Sequence, residues 1–551
     1  MVDNRRQIFG QVFTPPALAE LTLSVAGVSA GMRVLDPACG DGEFLARANS
    51  RGAQAVGFEI DPEIARLARA RVPEATVRCA DFTARSALPR FDAVVGNPPY
   101  VRGHRVSEAM RQNLATTLAK DFPGAPAKVL ARVCRGDLAA GFFARALAAV
   151  RPGGTVALVV SSALLDADYA AALWTLCARV GRIEAIIDAP RERWFAGAAV
   201  NAVVMVARRV TGDDDVAIAR LSVPTRRAAT VVTGIDTLAQ VADIRTAPAR
   251  FPARWGALVR APAVWLQLER AAAGALCPLG DIAEVRRGLT TGANDLFYVS
   301  QKEAARLAIE AEALVPVLRA PRSGAAAIRV DAGALTDMAI VCPSARARAG
   351  AFPRAAAYFA GHAQRAQAPT LRNRDPWWAM TGRPARVFLT KAYAQRFVQR
   401  LAESPMVCDQ RFYAVWPRAN GDSDEAEILA AILNSTFTSL AIESVGRASM
   451  GEGALEISVG DAAALPVIDP RRLSRRDRDK ILGALRALWQ RPIGPLVAEA
   501  EKTDRTALDL AVARAHPDLG QLLGEAREAL VAHVSARHAR ATAHRADADK
   551  R

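Results

Sequence analysis

Short apolar segments alternate with helix-like segments from the start of the chain to about Ser222. Alternation of this kind is typical of a parallel sheet with helices packed on both faces. The predicted fold class is therefore α/β, with a doubly wound, Rossmann-like sheet over residues 1–222. We expect strands centred on Val34, Val56, Val77, Val94, Val156, Ile186 and Val204.

The remaining residues predict further domains, because 551 residues are too many for one core. Residues 223–276 have the mixed pattern of a connector, and residues 277–470 are expected to form a separate α+β domain. From residue 471 to residue 551, Ala/Leu and charged positions recur at helical spacing. This predicts a helical extension, and its last stretch, SARHARATAHRADADKR, is poor enough in apolar residues to fray.

Composition narrows the class of protein. Hydrophobic residues make up 51% of the chain, which is ample for a globular core, and the net charge is +16. The positive charge is carried mostly by arginine, which suits bidentate contact with phosphates and guanine edges. A GC-rich genome would produce the same bias, so the charge alone does not establish nucleic-acid binding.

Seven cysteines without CxxC spacing predict reduced thiols in a cytoplasmic protein, with no disulfide framework and no metal site. The first residues, MVDNRRQIFGQVF, lack the core of a signal peptide. No apolar run approaches the roughly 20 residues needed to span a bilayer, so no membrane partner is expected.

The tetrapeptide Asn97-Pro98-Pro99-Tyr100 ends the apolar run FDAVVG. Two prolines stiffen the loop, while the Asn97 amide oxygen and the Pro98 carbonyl can accept hydrogen bonds from one amino group. The ring of Tyr100 can stack on a planar ligand. Taken by itself, the motif is more often a turn that ends a strand, and only its neighbours in the sequence favour a binding site.

An acidic glycine turn, DPACGDG, follows the first predicted strand and contains Asp36, Gly40 and Gly42. A third glycine of a dinucleotide fingerprint would fall at Leu45, and no Lys-Ser/Thr pair follows to bind a phosphate. These features favour a nucleoside-like ligand without a pyrophosphate, and the acid suits an ammonium group. A lone GxG is also found in ordinary turns.

The next two strands also end in acids. Glu59 lies about twenty residues beyond the glycine turn, where dinucleotide folds place a ribose-binding acid. It also precedes Asp61, a predicted helix N-cap, with Pro62 at the first helical position. Asp81 and Phe82 could contact an adenine, or be a surface acid beside a core ring. Open α/β sheets bind ligands at the carboxyl ends of their strands.

With these motifs in this order, the chain resembles the TaqI-like gamma class of S-adenosylmethionine-dependent DNA adenine-N6 methyltransferases. The resemblance covers most of the chain. It implies that NPPY is catalytic, through Asn97, Pro98 and Tyr100. It further implies that S-adenosylmethionine contacts these residues: Thr14 in GQVFTPP, Asp36, Pro37, Ala38, Gly40, Gly42, Glu59, Asp81, Phe82 and Phe142.

Two more regions carry the resemblance. RERWFAGAAVNAVVMVARR is similar to the segment that supplies a second aromatic ring to the target base. This implicates Phe195, although core packing of Phe195, or use of Trp194 instead, is equally compatible. CPLGDIAEVRRGLTTGAND resembles the opening of a target-recognition domain, which implicates Arg286, Arg287 and Asn294 in DNA binding.

The resemblance implies sequence-specific methylation of double-stranded DNA by a monomer that works beside a cognate restriction endonuclease. The polar stretch 104–135, just after NPPY, should border the substrate cleft. Two alternatives stay open. One is an NPPY-type methyltransferase that acts on RNA or on a protein glutamine amide, and the other is a DNA-binding protein that has lost turnover.

Overall fold

A computed structural model of the chain describes its residues in two compact units, Met1–Arg260 and Ala261–Arg551. The described residues are 13–84, 88–167, 169–190, 192–195, 201–212, 215–247, 255–320, 327–418, 423–450 and 453–548. Each unit has its own sheet and its own hydrophobic core.

The first unit is built on a nine-stranded sheet. Its strands are β1 (Arg33–Asp36), β2 (Gln54–Glu59), β3 (Thr76–Cys79), β4 (Phe91–Gly96), β5 (Val150–Ser161), β6 (Arg182–Asp188), β7 (Ala202–Arg208), β8 (Val216–Leu221) and β9 (Ala242–Ala247). Their order across the sheet is β3-β2-β1-β4-β5-β7-β6-β8-β9. Each of the strand centres expected from the apolar pattern lies inside one of these strands.

The sheet is mixed, which corrects the expectation of a parallel sheet. Strands β1 to β5 pair in parallel, but β7 runs antiparallel to both β5 and β6, and β9 runs antiparallel to β8. Strand β7 follows β6 along the chain and pairs with it antiparallel in the sheet, so β7 is reversed. The apolar pattern locates a buried strand, but it carries no information on the strand's direction.

Helices cover both faces of this sheet. They are α1 (Pro16–Val25), α2 (Glu43–Ser50), α3 (Pro62–Arg71), α4 (Glu108–Asp121), α5 (Ala127–Cys134), α6 (Leu138–Ala149), α7 (Ala170–Cys177), α8 (Thr225–Val231) and α9 (Trp255–Arg260). Alternate residues of β5 share a core with α1 to α3, while the residues between them point to the opposite face. Short 3-10 helices span Phe82–Ala84, Gly103–Arg105, Ser162–Leu165 and Ile235–Gln240.

The segment expected to be a connector is divided between the two units. Strand β9 and helices α8 and α9 belong to the first unit, and Arg260 donates to Asp166 there at 2.6 Å. Residues 261–276 belong to the second unit. A strand whose partner lies more than twenty residues earlier in the chain does not stand out by its own pattern.

The second unit contains an eight-stranded sheet and two small sheets. Its strands are β10 (Leu276–Pro278), β11 (Ala283–Arg287), β12 (Tyr298–Ser300), β13 (Leu314–Leu318), β14 (Arg329–Val330), β15 (Asp337–Ile340), β16 (Ala385–Thr390), β17 (Ala392–Tyr393), β18 (Arg400–Cys408), β19 (Phe412–Pro417), β20 (Arg447–Met450), β21 (Ala454–Glu456) and β22 (Pro466–Ile468). The large sheet has the order β11-β19-β16-β18-β13-β15-β12, with β14 paired to β18. Strands β10 and β22 form one small sheet, and β17, β21 and β20 the other.

The helices of the second unit are α10 (Ala263–Ala271), α11 (Leu279–Ile282), α12 (Asn294–Phe297), α13 (Gln301–Arg306), α14 (Ser344–Arg348), α15 (Pro353–Ala360), α16 (Ser423–Leu433), α17 (Thr436–Val445), α18 (Val459–Ala463), α19 (Arg475–Leu488), α20 (Leu496–Glu499), α21 (Thr503–Ala513) and α22 (Pro517–Ala548). Short 3-10 helices span Ala311–Ala313, Ala332–Ala334, Ala363–Gln367 and Pro470–Arg472. Helices α19, α21 and α22 contribute to the same core as α10, α16 and α17. Helix α22 continues to Ala548, through most of the stretch expected to fray, and Arg537 on it pairs with the buried Glu443 at 2.9 Å.

No single helix in the described part of the chain is long and apolar enough to cross a bilayer. Two helical segments joined at a bend, Asp424–Leu433 and Thr436–Val445, reach that length and composition together. Their apolar side chains are buried in the core of the second unit.

Candidate active site

A cavity of about 240 Å³ lies at the carboxyl ends of β1, β2 and β4 and at the turn after β3. Its walls bring together the glycine turn, the acid that ends β2, the acid that follows β3, and the NPPY corner. Ten of the residues predicted from the sequence line it: Pro37, Ala38, Gly40, Glu59, Asp81, Phe82, Asn97, Pro98, Tyr100 and Phe142.

The glycine turn needs its glycines for backbone conformation. Gly40 and Gly42 have φ values of 53° and 90°, which residues other than glycine rarely adopt. Gly42 is also the N-cap residue of α2. The turn is tied to β2 because the Cys39 amide donates to the Phe58 carbonyl at 2.8 Å.

Close packing of α2 on the sheet is provided by Gly57. A Cβ atom at position 57 would lie 2.7 Å from Leu45 Cδ1 and 2.8 Å from Cys39 Sγ. The glycine that lets helix and strand approach thus stands on β2, while Leu45 occupies the position where a dinucleotide fingerprint has its third glycine. The sequence shows Leu45, but the compensating contact joins residues from separate elements.

Asp36 is almost completely buried, with 1% of its surface exposed, and lies behind the cavity wall formed by Pro37 and Ala38. Its Oδ1 accepts from the Ala38 amide at 3.0 Å, and its Oδ2 is a buried oxygen without a hydrogen-bond partner. Burial raises the pKa of Asp36 to about 8, and the nearby carboxylates of Glu59 and Asp41 add to the shift. A buried acceptor of this kind is suited to a cationic group.

Gly96 brings the NPPY corner against Asp36. A Cβ atom at position 96 would lie 2.5 Å from Asp36 Oδ1 and 3.2 Å from Pro37 Cδ. Pairing of β1 with β4 aligns Leu35 with Val94, which places the two motifs side by side.

Glu59 faces the cavity with a fixed carboxylate. Its Oε2 accepts from the Gly40 amide at 3.1 Å, and its Oε1 accepts from the Asp61 amide at 2.9 Å. Burial raises the pKa of Glu59, although these backbone hydrogen bonds oppose the shift. Asp61 caps α3 by accepting from the Glu63 amide at 2.9 Å, as the sequence predicts.

Asp81 and two phenylalanine rings form a further part of the wall. Asp81 Oδ1 accepts from both the amide and the hydroxyl of Thr83 at 2.7 Å. The ring of Phe82 lies 5.2 Å from that of Phe142 and 5.8 Å from that of Phe58. These contacts hold a carboxylate beside an aromatic surface.

Arg145 fixes the position of Phe82. Its guanidinium lies 4.8 Å from the centre of the Phe82 ring and donates to the Phe82 carbonyl. The same side chain pairs with Asp121 on α4 at 2.9 Å. Phe82 is therefore held by a buried cation that does not itself line the cavity.

The NPPY corner begins directly after β4. Asn97 is half-buried, Pro98 is buried, and the Tyr100 hydroxyl donates to the Val159 carbonyl at 3.4 Å. Burial raises the pKa of the Tyr100 hydroxyl. The ring is also braced by Phe195, whose centre is 5.9 Å away at an interplanar angle of 68°.

Four of the residues predicted to be catalytic or to bind the cofactor are not part of the cavity wall: Thr14, Asp36, Gly42 and Phe195. Phe195 lies in the hydrophobic core with 3% of its surface exposed, and it reaches the site through Tyr100. Trp194 donates to the Thr225 hydroxyl at 2.7 Å. Beside Thr14 it is Phe13 that lines the cavity, with 44% of its surface exposed.

Other lining residues were not singled out by the sequence. Ile60 and Ile64 follow β2, and the stretch after NPPY contributes Val101, Arg105, Val106, Ser107 and Met110. The polar stretch expected to border the cleft therefore does so at its amino end. Ile60 is apolar yet has 41% of its surface exposed, a property that only the structure shows.

The predicted DNA-binding residues lie in the second unit. Arg286 and Arg287 are exposed near the end of β11, and Arg286 Nε lies 2.5 Å from Glu284 Oε1. Asn294 is half-buried at the start of α12, where its amide oxygen accepts from the Thr291 hydroxyl. The two arginines are presented to solvent, whereas Asn294 is partly engaged within its own loop.

Comparison with known families finds a match in each unit. Residues 2–228 match the family described as N-6 DNA Methylase, and residues 255–490 match the C-terminal domain of the type II methyltransferase M.Eco57I. Together these matches cover most of both units.

Relatives of known type agree with these matches. The type II methyltransferase M.XamI of Xanthomonas campestris pv. amaranthicola is 28% identical over 53% of this chain and 54% of its own length. M.TthHB8I of Thermus thermophilus, also a type II methyltransferase, is 34% identical over 36% of this chain and 45% of its own length. The chain thus spans about half the length of the curated relatives it matches.

The fold also has a counterpart among solved structures. The type IIL restriction-modification enzyme MmeI, solved in complex with DNA, superposes with a TM-score of 0.50 at 13% identity. The superposition covers 95% of this chain and 72% of that protein.

Proposed function

The chain is a homologue of type II methyltransferases, and we propose that it methylates double-stranded DNA at the N6 amino group of adenine. The methyl donor is S-adenosylmethionine. One observation carries the proposal, namely that a single cavity joins the glycine turn and its acids to the Asn97–Tyr100 corner. A donor site and an acceptor site that share one cavity can bring two reactants into contact.

The chain's residues fit the cofactor group by group. The buried, unpartnered Oδ2 of Asp36, behind the cavity wall, suits an ammonium group. The carboxylate of Glu59, which lines the cavity, suits a ribose diol. Phe82 and Phe142 offer aromatic surface to a purine, with Asp81 beside them as an acceptor for an amino group. When bound, S-adenosylmethionine supplies a methyl group that its sulfonium charge has already activated.

Asn97 and Pro98 would prepare the acceptor. The lone pair of the adenine N6 atom is delocalised into the ring, which makes the amino group a poor nucleophile. Hydrogen bonds from this amino group to the Asn97 amide oxygen and the Pro98 carbonyl would draw its hydrogens out of the ring plane and localise the lone pair. The stiffness that two prolines give the loop keeps both acceptors in place.

Tyr100 would hold the base itself. Reaching N6 requires extrusion of the adenine from the duplex, at a cost of about a few kcal/mol. Stacking on an aromatic face returns about 1–3 kcal/mol. The hydrogen bond to Val159 and the edge-to-face contact with Phe195 fix the Tyr100 ring before the base arrives.

No covalent enzyme intermediate is part of this mechanism. Cys39, the cysteine of the glycine turn, is buried, and burial raises the pKa of its thiol. A protonated thiol is a weak nucleophile. Cys39 therefore serves to pack the turn against Gly57.

The second unit would supply sequence preference, with Arg286, Arg287 and Asn294 as DNA contacts. Its match to the C-terminal domain of M.Eco57I supports this role. The relatives, which are type II methyltransferases, also support a place in restriction-modification. A cognate restriction endonuclease is the partner that we expect there. We expect the methyltransferase to act as a monomer.

The direct test replaces Asn97. Purified Asn97→Ala should lose methyl transfer to duplex DNA, a fall of about 10²–10³-fold or more, because one of the two acceptors is gone. Its affinity for S-adenosylmethionine should change little. Asn113→Ala, an exposed asparagine on α4, is the matched control and should keep the wild-type rate. The measurements are tritiated-methyl transfer and calorimetric cofactor binding.

Long-read sequencing of DNA from a methylation-free host that expresses the chain would identify the modified base and its context. Methylated adenine at a fixed sequence is the expected result. Methyl transfer to ribosomal RNA or to a release-factor glutamine, with every adenine in DNA unmodified, would refute the proposal. Wild-type activity in Asn97→Ala would remove the lone-pair argument alone.

A further inference from the structure

The turn that follows Tyr100 carries positive charge to the mouth of the cavity. It consists of Arg102 and the 3-10 helix Gly103–Arg105, in which the side chains of Arg102, His104 and Arg105 are exposed. Arg105 also lines the cavity, five residues after Tyr100. We name this segment the Arg105 turn.

The Arg105 turn is held rigidly at Gly103. The Gly103 amide donates to Asp137 Oδ1 at 2.9 Å, and the Gly103 carbonyl accepts from the Arg111 guanidinium. A Cβ atom at position 103 would lie only 2.4 Å from the Arg135 carbonyl oxygen. Only glycine lets the backbone approach this closely, so the turn is seated against the segment that leads into α6.

Both flanks of the turn are anchored as well. Before the turn, the Val101 carbonyl accepts from the Leu138 amide at 3.0 Å, at the start of α6. After it, Val106 is buried and lines the cavity. The long side chain of Arg105 therefore extends from a fixed base that adjoins the NPPY corner.

The charge of the turn is available to a ligand. Among the ion pairs of the described residues, none engages Arg102 or Arg105. Arg111, in the same stretch, has Glu108 at 3.9 Å and also binds the Gly103 carbonyl. Asp137, an acid that contacts the turn, already accepts a hydrogen bond from the Gly103 amide.

We propose that Arg105, supported by Arg102, binds a backbone phosphate of the DNA strand that carries the target base. This inference rests on the proposed function. A base that swings into the cavity stays attached to its sugar, so its flanking phosphates must remain at the rim. A guanidinium on a fixed base matches phosphate geometry and orients the strand before the base reaches Asn97. The cofactor contains no phosphate, and its carboxylate is the rival anion.

The first experiment compares Arg105→Ala, Arg105→Lys and Arg132→Ala in the full-length protein. Arg132 is an exposed arginine on α5 outside the cavity wall and serves as the control. Arg105→Ala should raise KM for DNA about tenfold, with a smaller change in kcat and no change in the Kd for S-adenosylmethionine. Its kcat/KM should also depend less steeply on salt, with the logarithmic slope reduced by about one.

Arg105→Lys should recover most of the affinity and the steep salt dependence, because the positive charge is restored. Arg132→Ala should behave as wild type in every measurement. A merely structural role for Arg105 would lower stability and kcat but leave the salt slope intact.

The second experiment locates the phosphate. Duplexes with the recognised sequence carry a neutral methylphosphonate at one backbone position at a time on either side of the target adenine. Wild-type enzyme should lose affinity at one flanking position, and Arg105→Ala should be insensitive at that position. Equal sensitivity of both enzymes at every position overturns the proposal.

A weakened Kd for S-adenosylmethionine in Arg105→Ala, with an unchanged KM for DNA, would also overturn it, because the guanidinium would then serve the cofactor carboxylate. Failure of the proposed function is distinguishable, since wild-type enzyme would then methylate no adenine in DNA.

Discussion

At the scale of single residues, Asp36 is the most unusual group of the site. It is buried next to two other carboxylates and has one oxygen without a partner. In the ligand-free protein this arrangement favours the protonated acid, since burial and like charge both disfavour the anion. A cationic ligand would reverse the preference. Asp36 thus lowers the free energy of unfolding, as is common for acids in a site that binds a charged group.

This environment predicts a pH dependence of stability. The pKa of Asp36 is raised to about 8 in the folded protein, so the folded state holds a proton that the unfolded state releases above about pH 4. Between these values the free energy of unfolding should fall as pH rises, with a slope approaching about 1.4 kcal/mol per pH unit from this group. Asp36→Asn should lack this contribution. The free energy of unfolding of the variant, minus that of the wild type, should therefore increase as the pH rises towards 8.

Denaturant unfolding of the ligand-free protein between pH 5 and about pH 8 measures this difference. Asp236→Asn, an exposed acid of the same unit, is the control and should follow the wild-type profile. Parallel profiles for wild type and Asp36→Asn would show that Asp36 is ionised without a ligand.

At the scale of elements, the cavity depends on how closely α2 lies against β2. Gly57 is in contact with both Leu45 of α2 and Cys39 of the turn, so one missing side chain sets the position of the helix and of the loop. The consequence for function is direct, because Pro37, Ala38 and Gly40 of the same turn form the cavity wall.

Gly57→Ala should therefore affect both stability and binding. The added Cβ atom would lie less than 3.0 Å from three atoms, two of which belong to Cys39. Overpacking of this kind costs about 1–3 kcal/mol. Cofactor affinity should fall as well, because the displaced turn carries the lining residues. Chemical denaturation and calorimetric binding of S-adenosylmethionine test the two effects.

Gly234→Ala provides the matched control in the same unit, since a Cβ atom there would meet nothing within 4 Å. It should leave both quantities nearly unchanged. A Gly57→Ala protein with wild-type stability and affinity would show that the helix can shift without cost, contrary to this account.

At the scale of the whole molecule, the proposed function assigns cofactor binding to the first unit and the choice of DNA sequence to the second. The first unit contains the entire cavity wall, and it ends at Arg260, whose guanidinium pairs with Asp166. A cut near residue 245 would remove part of β9 from the sheet. The end of α9, Arg260, is therefore the useful truncation point.

A protein that ends at Arg260 should bind S-adenosylmethionine with nearly the wild-type Kd and lose sequence preference, because the unit that matches the M.Eco57I C-terminal domain is gone. Calorimetry measures the first property, and long-read sequencing of treated DNA measures the second. Selective methylation of one site by the truncated protein would refute the assignment of specificity to the second unit. Loss of folding would refute the independence of the first unit's core.

The sequence by itself determined the local elements of the first unit. Patterns within a few residues predict strand centres such as Val34 and Val94, the Asp61 cap, and the acids at the carboxyl ends of β1 to β3. Such patterns depend on side-chain periodicity and backbone preference, which are properties of a short segment. For this reason the motif residues could also be expected at one edge of the sheet.

Only the tertiary structure decided how these elements meet. It set the reversal of β7, the pairing of β9 with β8, the burial of Asp36 behind the cavity wall and the seating of the Arg105 turn on α6. Each of these results depends on contacts between residues tens of positions apart. A local pattern states that a side chain is buried, but which partner covers it is settled only when the whole chain packs.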